Sequence, residues 1–502
     1  MNIFNQVFDD IKRNRIRLAF VYTLSIVEPI GIGYLYAYLK KFFPDISIEL
    51  FDPRIDSLES IRDYSPHFVL YSTMSGQYMD DVKRNKKLKQ VLKPFISVFG
   101  GAHPTYFPEM INDEAVDMIC RGEGEEPLKN LVEAAANHSD IRNIEGFWIN
   151  YNGSLYKNGL APLNDNLDDL PFPERDIFYK KSHHLRRYTR ISIYPARGCT
   201  FNCSYCHNGG FKTLLRGRGK IYRYRSPKSI VDEVVALQSA RKINFIEFSA
   251  DIFPGIKIDW MKEFAERYAP VKIPFNVSLR AEFVKPETAK LLRKCGCASA
   301  SMAIENGNYE YRKKYLYRNM TNDKLVESIK ILESEGIRVA SPTMIGLPFT
   351  EFSTDLDTLK LTCTANSTYA NPTIFQPYPG VPLTDMCLEH DLIDKYYVKR
   401  YHEHAASSAH IKGVDYDKVM RLRNSFTTLK FLKKWFDIDI DVWFYKLPKS
   451  ILIKLINTGL NYIYFNKIYS YKRGFLGRMR ELYIALITGA YGVTIRKLRM
   501  NW

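Results

Sequence analysis

What this sequence lacks narrows its function before any motif is read. No run of about 18 apolar residues occurs in the 502, so no segment is expected to span a bilayer. The nearest candidate, Leu482 to Ile495, is short and interrupted by Thr488, Gly489, Tyr491, Gly492 and Thr494, and reads as a packed or interfacial helix. Met1 to Arg15 has no apolar core of the kind a signal peptide carries, so a cytoplasmic location is expected. Cysteine is scarce. Eight in so long a chain exclude a disulfide scaffold and point to reduced thiols, some of them metal ligands. Internal repeats, low-complexity tracts and RNA-binding appendages are also missing, and nucleic acid is not expected as a partner. Acid is short as well: the net charge is +17, which calls for an anionic partner such as a membrane surface or an acidic ligand.

What is present is an ordinary globular composition, 46% hydrophobic and 25% charged, with length for two to four domains. Strands and helices alternate over residues 1–140. Ile16–Tyr22, Ile46–Phe51, Phe68–Tyr71, Phe95–Phe99 and Val116–Cys120 read as strands, and Gly31–Phe43 and Glu125–Ala135 as helices. That alternation predicts an α/β, doubly wound parallel sheet with ligands at its C-terminal strand ends. Residues 141–190 read as a connector, with a hairpin turn at Asn152-Gly153 and a stiff Leu170-Pro-Phe-Pro-Glu174. A second series fills 191–385, with strands at Ile191–Tyr194, Phe245–Phe248, Phe275–Leu279, Ser299–Ile304, Arg338–Met344 and Thr373–Gln376. Six β/α units predict a partial (β/α)6 barrel. Residues 386–502 read as a basic, aromatic-rich helical domain.

Directly after the first barrel strand comes Ala196-Arg-Gly-Cys199-Thr-Phe-Asn-Cys203-Ser-Tyr-Cys206. Three thiolates spaced C-x3-C-x2-C on one loop can hold three irons of a cubane and leave the fourth without a protein ligand. Other readings of the same residues compete. Cys203-Ser-Tyr-Cys206-His207 is literally the C-x-x-C-H of c-type haem attachment, but no export signal accompanies it. Zinc on three cysteines plus His207 is sterically cramped. The remaining cysteines, Cys120, Cys295, Cys297, Cys363 and Cys387, are scattered and do not form a second cluster motif.

The loop, with Tyr205 just before the last cysteine, resembles the signature of the radical S-adenosylmethionine (SAM) superfamily, and the resemblance extends over most of the chain. Ile304-Glu-Asn-Gly307 with Leu316-Tyr-Arg-Asn-Met320, Met344-Ile-Gly-Leu-Pro348 and Gln376-Pro-Tyr-Pro-Gly380 resemble the family's later strand ends. The resemblance implies that Cys199, Cys203 and Cys206 hold a [4Fe-4S] cluster whose open iron is chelated by SAM. It further implies Glu305 on the ribose, Arg318 on the methionyl carboxylate and Gly346 close to adenine, with Tyr205 and Asp251 beside them. Asp251 ends Phe248-Ser-Ala-Asp251, where the family often has other residues, so its contact with the SAM amino group is the weakest match. A reductant such as flavodoxin or ferredoxin is implied as partner.

Residues 1–135 resemble the cobalamin-binding domain of one radical SAM subclass, through Glu28-Pro-Ile-Gly31-Ile-Gly33, Gly100-Gly-Ala-His-Pro-Thr105 and Arg121-Gly-Glu-Gly-Glu125. The resemblance places Gly100, Gly101, Ser72 and Thr73 around the nucleotide tail of cobalamin. The first loop, Thr23-Leu-Ser-Ile-Val-Glu28, has no histidine to replace the lower cobalt ligand, and His103 reads as structural. A domain that has lost cobalamin remains an alternative.

Residues 442–502 carry eleven Lys/Arg against one acid, Glu481, among many aromatic residues. On a helix, Leu452, Leu455, Ile456, Leu460 and Ile463 share one face, opposite Lys454, Asn457, Thr458 and Asn461. This tail is expected to touch the inner membrane face, or else to pack on the barrel. The expected function is a cobalamin-dependent radical SAM enzyme that methylates an unactivated carbon of a hydrophobic small molecule or lipid. Cyclisation or ring rearrangement of the protoporphyrin ester cyclase type is the alternative, and a cobalamin- or lipid-binding protein with a structural cluster is the reading from another class.

Overall fold

The structure is a computed structural model that describes residues 3–25, 27–254, 257–370, 372–398, 401 and 410–470. The stretch 471–502, with the candidate helix Leu482–Ile495, lies outside the described residues.

The first sheet has seven strands, β1 (Arg17–Val21), β2 (Ser47–Phe51), β3 (Phe68–Ser72), β4 (Ile96–Gly100), β5 (Met118–Cys120), β6 (Phe147–Tyr151) and β7 (Ser154–Lys157), in the order β2-β1-β3-β4-β5-β6-β7. The first five are parallel. Their sequences are nearly continuous apolar runs because helices cover both faces, with Leu18, Phe20, Phe68 and Leu70 in one core and Ala19, Val21, Val69 and Tyr71 in the other. The strand order reverses between β1 and β3, which opens a crevice above their C-terminal ends. Asn152 and Gly153, at φ +57° and +79°, form the tight turn expected of Asn-Gly, and the hairpin they close adds β6 and β7 antiparallel to β5. Part of the stretch read as a connector therefore completes the first sheet.

The second unit comprises β8 (Arg190–Ile193), the short ribbon β9 (Ala196–Arg197) with β10 (Arg223–Tyr224), then β11 (Phe245–Phe248), β12 (Phe275–Ser278), β13 (Cys297–Ser301), β14 (Arg338–Ala340), β15 (Thr343–Ile345) and β16 (Pro372–Ile374). An arc of parallel strands runs β8-β11-β12-β13-β14 and continues through β15-β16. The fifth strand expected from sequence is split into β14 and β15 at Ser341-Pro342. Proline has no N–H to give, but its carbonyl accepts from Ile304 (3.1 Å) and Glu305 (3.3 Å), so the arc continues. A layer of interlocked rings, Phe248, Phe253, Trp260, Phe264, Tyr268 and Phe275, fills the space between the sheet and its helices. The helices Tyr416–Phe436 and Ile440–Lys446 bury Val419, Leu422, Phe426 and Phe444 against Leu356 and Leu359 of the barrel helix Phe352–Ala365. The expected α/β architecture with a partial barrel and a helical C-terminal region is the one observed.

Gly101 shows how tightly the crevice is built. It sits at φ +98°, and a Cβ there would lie 2.9 Å from both the N and the O of Thr73. At Gly100 the nearest atom would be 3.7 Å away, an ordinary contact. Gly101→Ala is therefore expected to lower the unfolding free energy by about 1–3 kcal/mol, and Gly100→Ala by much less. Urea denaturation of the two variants checks the difference.

Candidate functional site

The cysteine loop leaves the barrel at β9 and returns into the helix His207–Leu214. Cys199 and Cys203 are buried, Cys206 is half-buried, and all three thiols are free. Each sulfur already has a donor: Phe201 N–H at 3.4 Å from Cys199, Arg280 Nη1 at 3.3 Å from Cys203, and Asn208 Nδ2 at 3.6 Å from Cys206. Burial, and then the nearby charge of Asp251 and the other thiols, pushes the Cys199 and Cys206 thiols up. They need a cation to become thiolates, and iron supplies it. Among the described residues no three His, Cys, Asp or Glu side chains gather tightly enough to hold a single metal ion. His207 contacts the rings of Tyr106 (5.3 Å) and Tyr378 (5.0 Å). A cubane asks for a wider triangle, one thiolate for each of three irons.

Arg280 was not singled out from sequence. It stands just beyond β12, stacks on Phe201 at 3.5 Å from the ring centroid, and pairs with Glu282 while donating to Cys203. The readable signal was a cation at the C-terminal end of a barrel strand.

Tyr205, Glu305 and Arg318 come together and are joined to one another. Tyr205 Oη donates to Glu305 Oε1 at 2.7 Å, Arg318 Nη1 donates to Tyr205 Oη at 3.3 Å, and Arg318 lies 3.5 Å from Glu305. Burial opposes the Arg318 charge, but Tyr205, Glu305 and Cys203 hold its pKa up, so it stays a guanidinium. Glu305 has φ +65°, a left-handed conformation uncommon for a non-glycine residue and often kept at functional sites. Arg318 Nε, Ser341 Oγ, Thr343 Oγ1 and Gln376 Oε1 are buried without a hydrogen-bond partner. Arg318 belongs to this cluster, Ser341 and Thr343 flank the break between β14 and β15, and Gln376 follows β16. Leaving each unpaired costs about 1–3 kcal/mol, so a polar ligand fits here. Asp251 is exposed at the end of β11, and its charge acts on Cys199 and Cys206.

Gly346 has φ +66°, and a Cβ there would meet Val419 (3.2 Å) and Val414 (3.5 Å) of the C-terminal region. Its N–H donates to both oxygens of buried Asp355, each at 3.1 Å.

Two cavities flank the loop. One, of about 350 Å³, lies above the first sheet and is lined by Ser72, Gly100, Gly101, Gly122 and Gly124 together with Tyr194 and Arg197 of the barrel. Its strand-end glycines form a cradle that fits a large ligand. Thr73 is not in this lining. It stands just beyond β3, and its hydroxyl donates to buried Asp81 at 3.0 Å. His103 is buried, stacked on Tyr78 at 4.2 Å, as a structural histidine would be. The other cavity, of about 680 Å³, reaches Cys203 and is walled by Tyr106, Phe107, Tyr317 and Pro382, with Lys212 and Arg216 also in its lining.

Ion pairs tie the two units together. Arg197 pairs with Glu125 (2.6 Å) and Glu123 (3.2 Å), and Arg223 grips Glu123 with both nitrogens (2.8 and 2.7 Å). Burial alone would push the Glu123 carboxyl up, but Arg223 and Arg197 hold it below its usual value.

The protein is thus an iron–sulfur barrel joined to a ligand-binding Rossmann-type sheet. Residues 193–361 match the Radical SAM superfamily and residues 16–132 match the B12 binding domain. Residues 193–361 are thus a radical SAM domain and residues 16–132 a B12-binding domain. The chain's cofactors are accordingly a [4Fe-4S] cluster, S-adenosylmethionine and cobalamin. An uncharacterized methyltransferase of Pyrococcus horikoshii is 24% identical over 471 residues, covering 91% of this chain and 94% of that protein. The anaerobic magnesium-protoporphyrin IX monomethyl ester cyclase of Cereibacter sphaeroides is 27% identical over 337 residues, 65% of this chain and 54% of the cyclase. The solved structure of the cobalamin-dependent S-adenosylmethionine radical enzyme OxsB with aqua-cobalamin bound superposes at TM-score 0.67 and 13% identity, covering 96% of this chain and 85% of that one. That likeness is one of fold.

Replacing any one of Cys199, Cys203 or Cys206 by Ala should abolish the cluster, read as loss of the broad visible absorption and of bound iron after anaerobic reconstitution. A second outcome concerns Asp355. Burial pushes its carboxyl up to about 7, against the pull of the Gly346 N–H. A raised carboxyl contributes stability that is complete below its unfolded value of 3.8 and is lost as pH rises through about 7. Asp355→Asn keeps an acceptor for Gly346, so the stability of the wild type relative to this variant should fall across that window, as measured by denaturation at a series of pH values.

Proposed function

We propose that this protein transfers a methyl group to an unactivated carbon of a hydrophobic small molecule or lipid. The observation that carries this reading is the position of the cysteine loop between two cavities, one in the cobalamin-type crevice and one open to a substrate. A [4Fe-4S] cluster held by Cys199, Cys203 and Cys206 would supply the electron for reductive cleavage of S-adenosylmethionine, and bound cobalamin would supply a carrier for the methyl group.

The residues of the chain bind, orient and exclude water. Arg318, Glu305 and Tyr205 present one cation, one carboxylate and one hydroxyl beside Cys203, a set suited to the carboxylate and ribose of S-adenosylmethionine. Tyr106, Phe107, Tyr317 and Pro382 wall the larger cavity with apolar surface, and Lys212 and Arg216 can meet an acidic group of the substrate. Asn208 and Arg280 donate toward two of the sulfurs and tune their basicity. A small electron carrier such as flavodoxin or ferredoxin would serve as reductant. The cyclase alternative draws on a relative of which this chain covers only about half, whereas the Pyrococcus protein named a methyltransferase is covered almost end to end.

The test is anaerobic reconstitution with iron, sulfide and cobalamin, followed by SAM and a strong reductant, with 5′-deoxyadenosine and S-adenosylhomocysteine both quantified. Both products are expected, the second only when cobalamin is bound. Formation of 5′-deoxyadenosine alone would favour cyclisation or rearrangement, and neither product would overturn the enzyme reading. Arg318→Ala should lower SAM cleavage by about ten- to a hundredfold while iron content stays unchanged, because a charge-assisted hydrogen bond contributes about 1.5–3 kcal/mol.

A further inference from the structure

The helix Ile451–Ile468 is packed inside out. Its buried positions are Asn457, Thr458, Asn461 and Ile468, whereas Ile451 is 77%, Leu452 64%, Leu455 48%, Ile456 42% and Ile463 53% exposed. A helix of a water-soluble domain normally buries its apolar stripe and exposes its amides.

The reason lies in its neighbour, Tyr416–Phe436. Asn457 wedges its amide into that helix: its Oδ1 accepts the N–H of Thr427 at 2.9 Å and of Thr428 at 3.1 Å, and its Nδ2 faces the carbonyl of Arg423 at 3.4 Å. Thr427 Oγ1 then donates to Asn461 Oδ1. This seam of threonine and asparagine commits the polar face to the inside and leaves the apolar face turned out. Small and polar residues between helices, with leucine and isoleucine outward, are the arrangement proteins use against lipid.

Charge identifies the occupant. From Val442 to Ser470 there are four lysines, Lys446, Lys449, Lys454 and Lys467, and no Asp or Glu. Lys449, just before the helix, and Lys467, on the same face as Leu452 and Ile463, are exposed, and Trp443 and Tyr445 are exposed on the preceding helix Ile440–Lys446. An apolar stripe edged by lysines and interfacial aromatics complements a surface that is both apolar and negative. No helix among the described residues is long and apolar enough to cross a membrane, so the contact is with the surface.

We propose that the outward face of Ile451–Ile468 docks the protein on an anionic lipid bilayer. This stands apart from the reaction chemistry and does not depend on it.

Co-sedimentation of the full chain with phosphatidylglycerol-containing vesicles and with pure phosphatidylcholine vesicles tests it. Binding to the anionic vesicles should exceed binding to the neutral ones by about tenfold or more at low salt and should weaken at high salt. Leu452→Asp with Leu455→Asp should remove it with the helical circular dichroism intact. Should that variant unfold, Lys449→Glu with Lys467→Glu, both at exposed positions, should still lower anionic-vesicle binding by about tenfold. Equal binding to both vesicles, no binding, or a self-associated protein in which the stripe is covered by a second copy would overturn the proposal.

Discussion

Arg197 is the residue on which the rest of the site depends. It stands two positions before Cys199, is mostly buried, and satisfies its charge on Glu123 and Glu125 of the other unit. A buried cation without its partners is costly, and removing one side of such a pair is typically worth about 3–5 kcal/mol. The cysteine loop therefore takes its position partly from the Rossmann-type sheet and not from the barrel alone. Two motifs far apart in sequence, Ala196-Arg-Gly-Cys199 and Arg121-Gly-Glu-Gly-Glu125, are the two halves of one contact.

A second seam of the same kind runs alongside. Glu28 is bound by Arg175 and by the hydroxyl of Tyr179, and Arg175 continues to Glu233 at 3.0 Å, which also receives Arg225. Arg175 also donates to the carbonyl of Ser192 at 2.8 Å in β8, so the chain leaving the first unit is fastened to the first barrel strand. Desolvated charge pairs specify geometry more than they add stability. Here they fix how the first sheet sits against the first barrel strand. The glycines at Gly100, Gly101, Gly122 and Gly124 keep the crevice above that sheet open.

Much of this was legible in the sequence, for physical reasons. Phe245–Phe248 was placed to the residue because Phe245, Ile246 and Phe248 form a short apolar run broken only by half-buried Glu247, and the hairpin at Asn152-Gly153 followed from the positive φ that both residues tolerate. The three cysteines were readable because thiolates at fixed spacing have few other uses. What stayed hidden depends on partners distant in sequence. That Thr73 turns to Asp81 while Ser72 lines the cavity depends on where Asp81, on the helix that follows, is carried by the fold. That Gly346 meets Val419 depends on how the C-terminal helix docks. The periodicity of 452–463 correctly divided the helix into two faces, but which of them is buried was decided by the amide wedge into Thr427 and Thr428. Arg280 had no motif of its own, only its place after a strand.

The central claim is that the cluster has three protein thiolates and one iron open to SAM. Electron paramagnetic resonance of the reduced, reconstituted protein, with and without SAM, tests this most directly. The expected result is a [4Fe-4S]+ signal whose g-values shift when SAM is added, because the ligand reaches the open iron. A signal unchanged by saturating SAM would mean that the fourth iron is already held by the protein, and would contradict the claim.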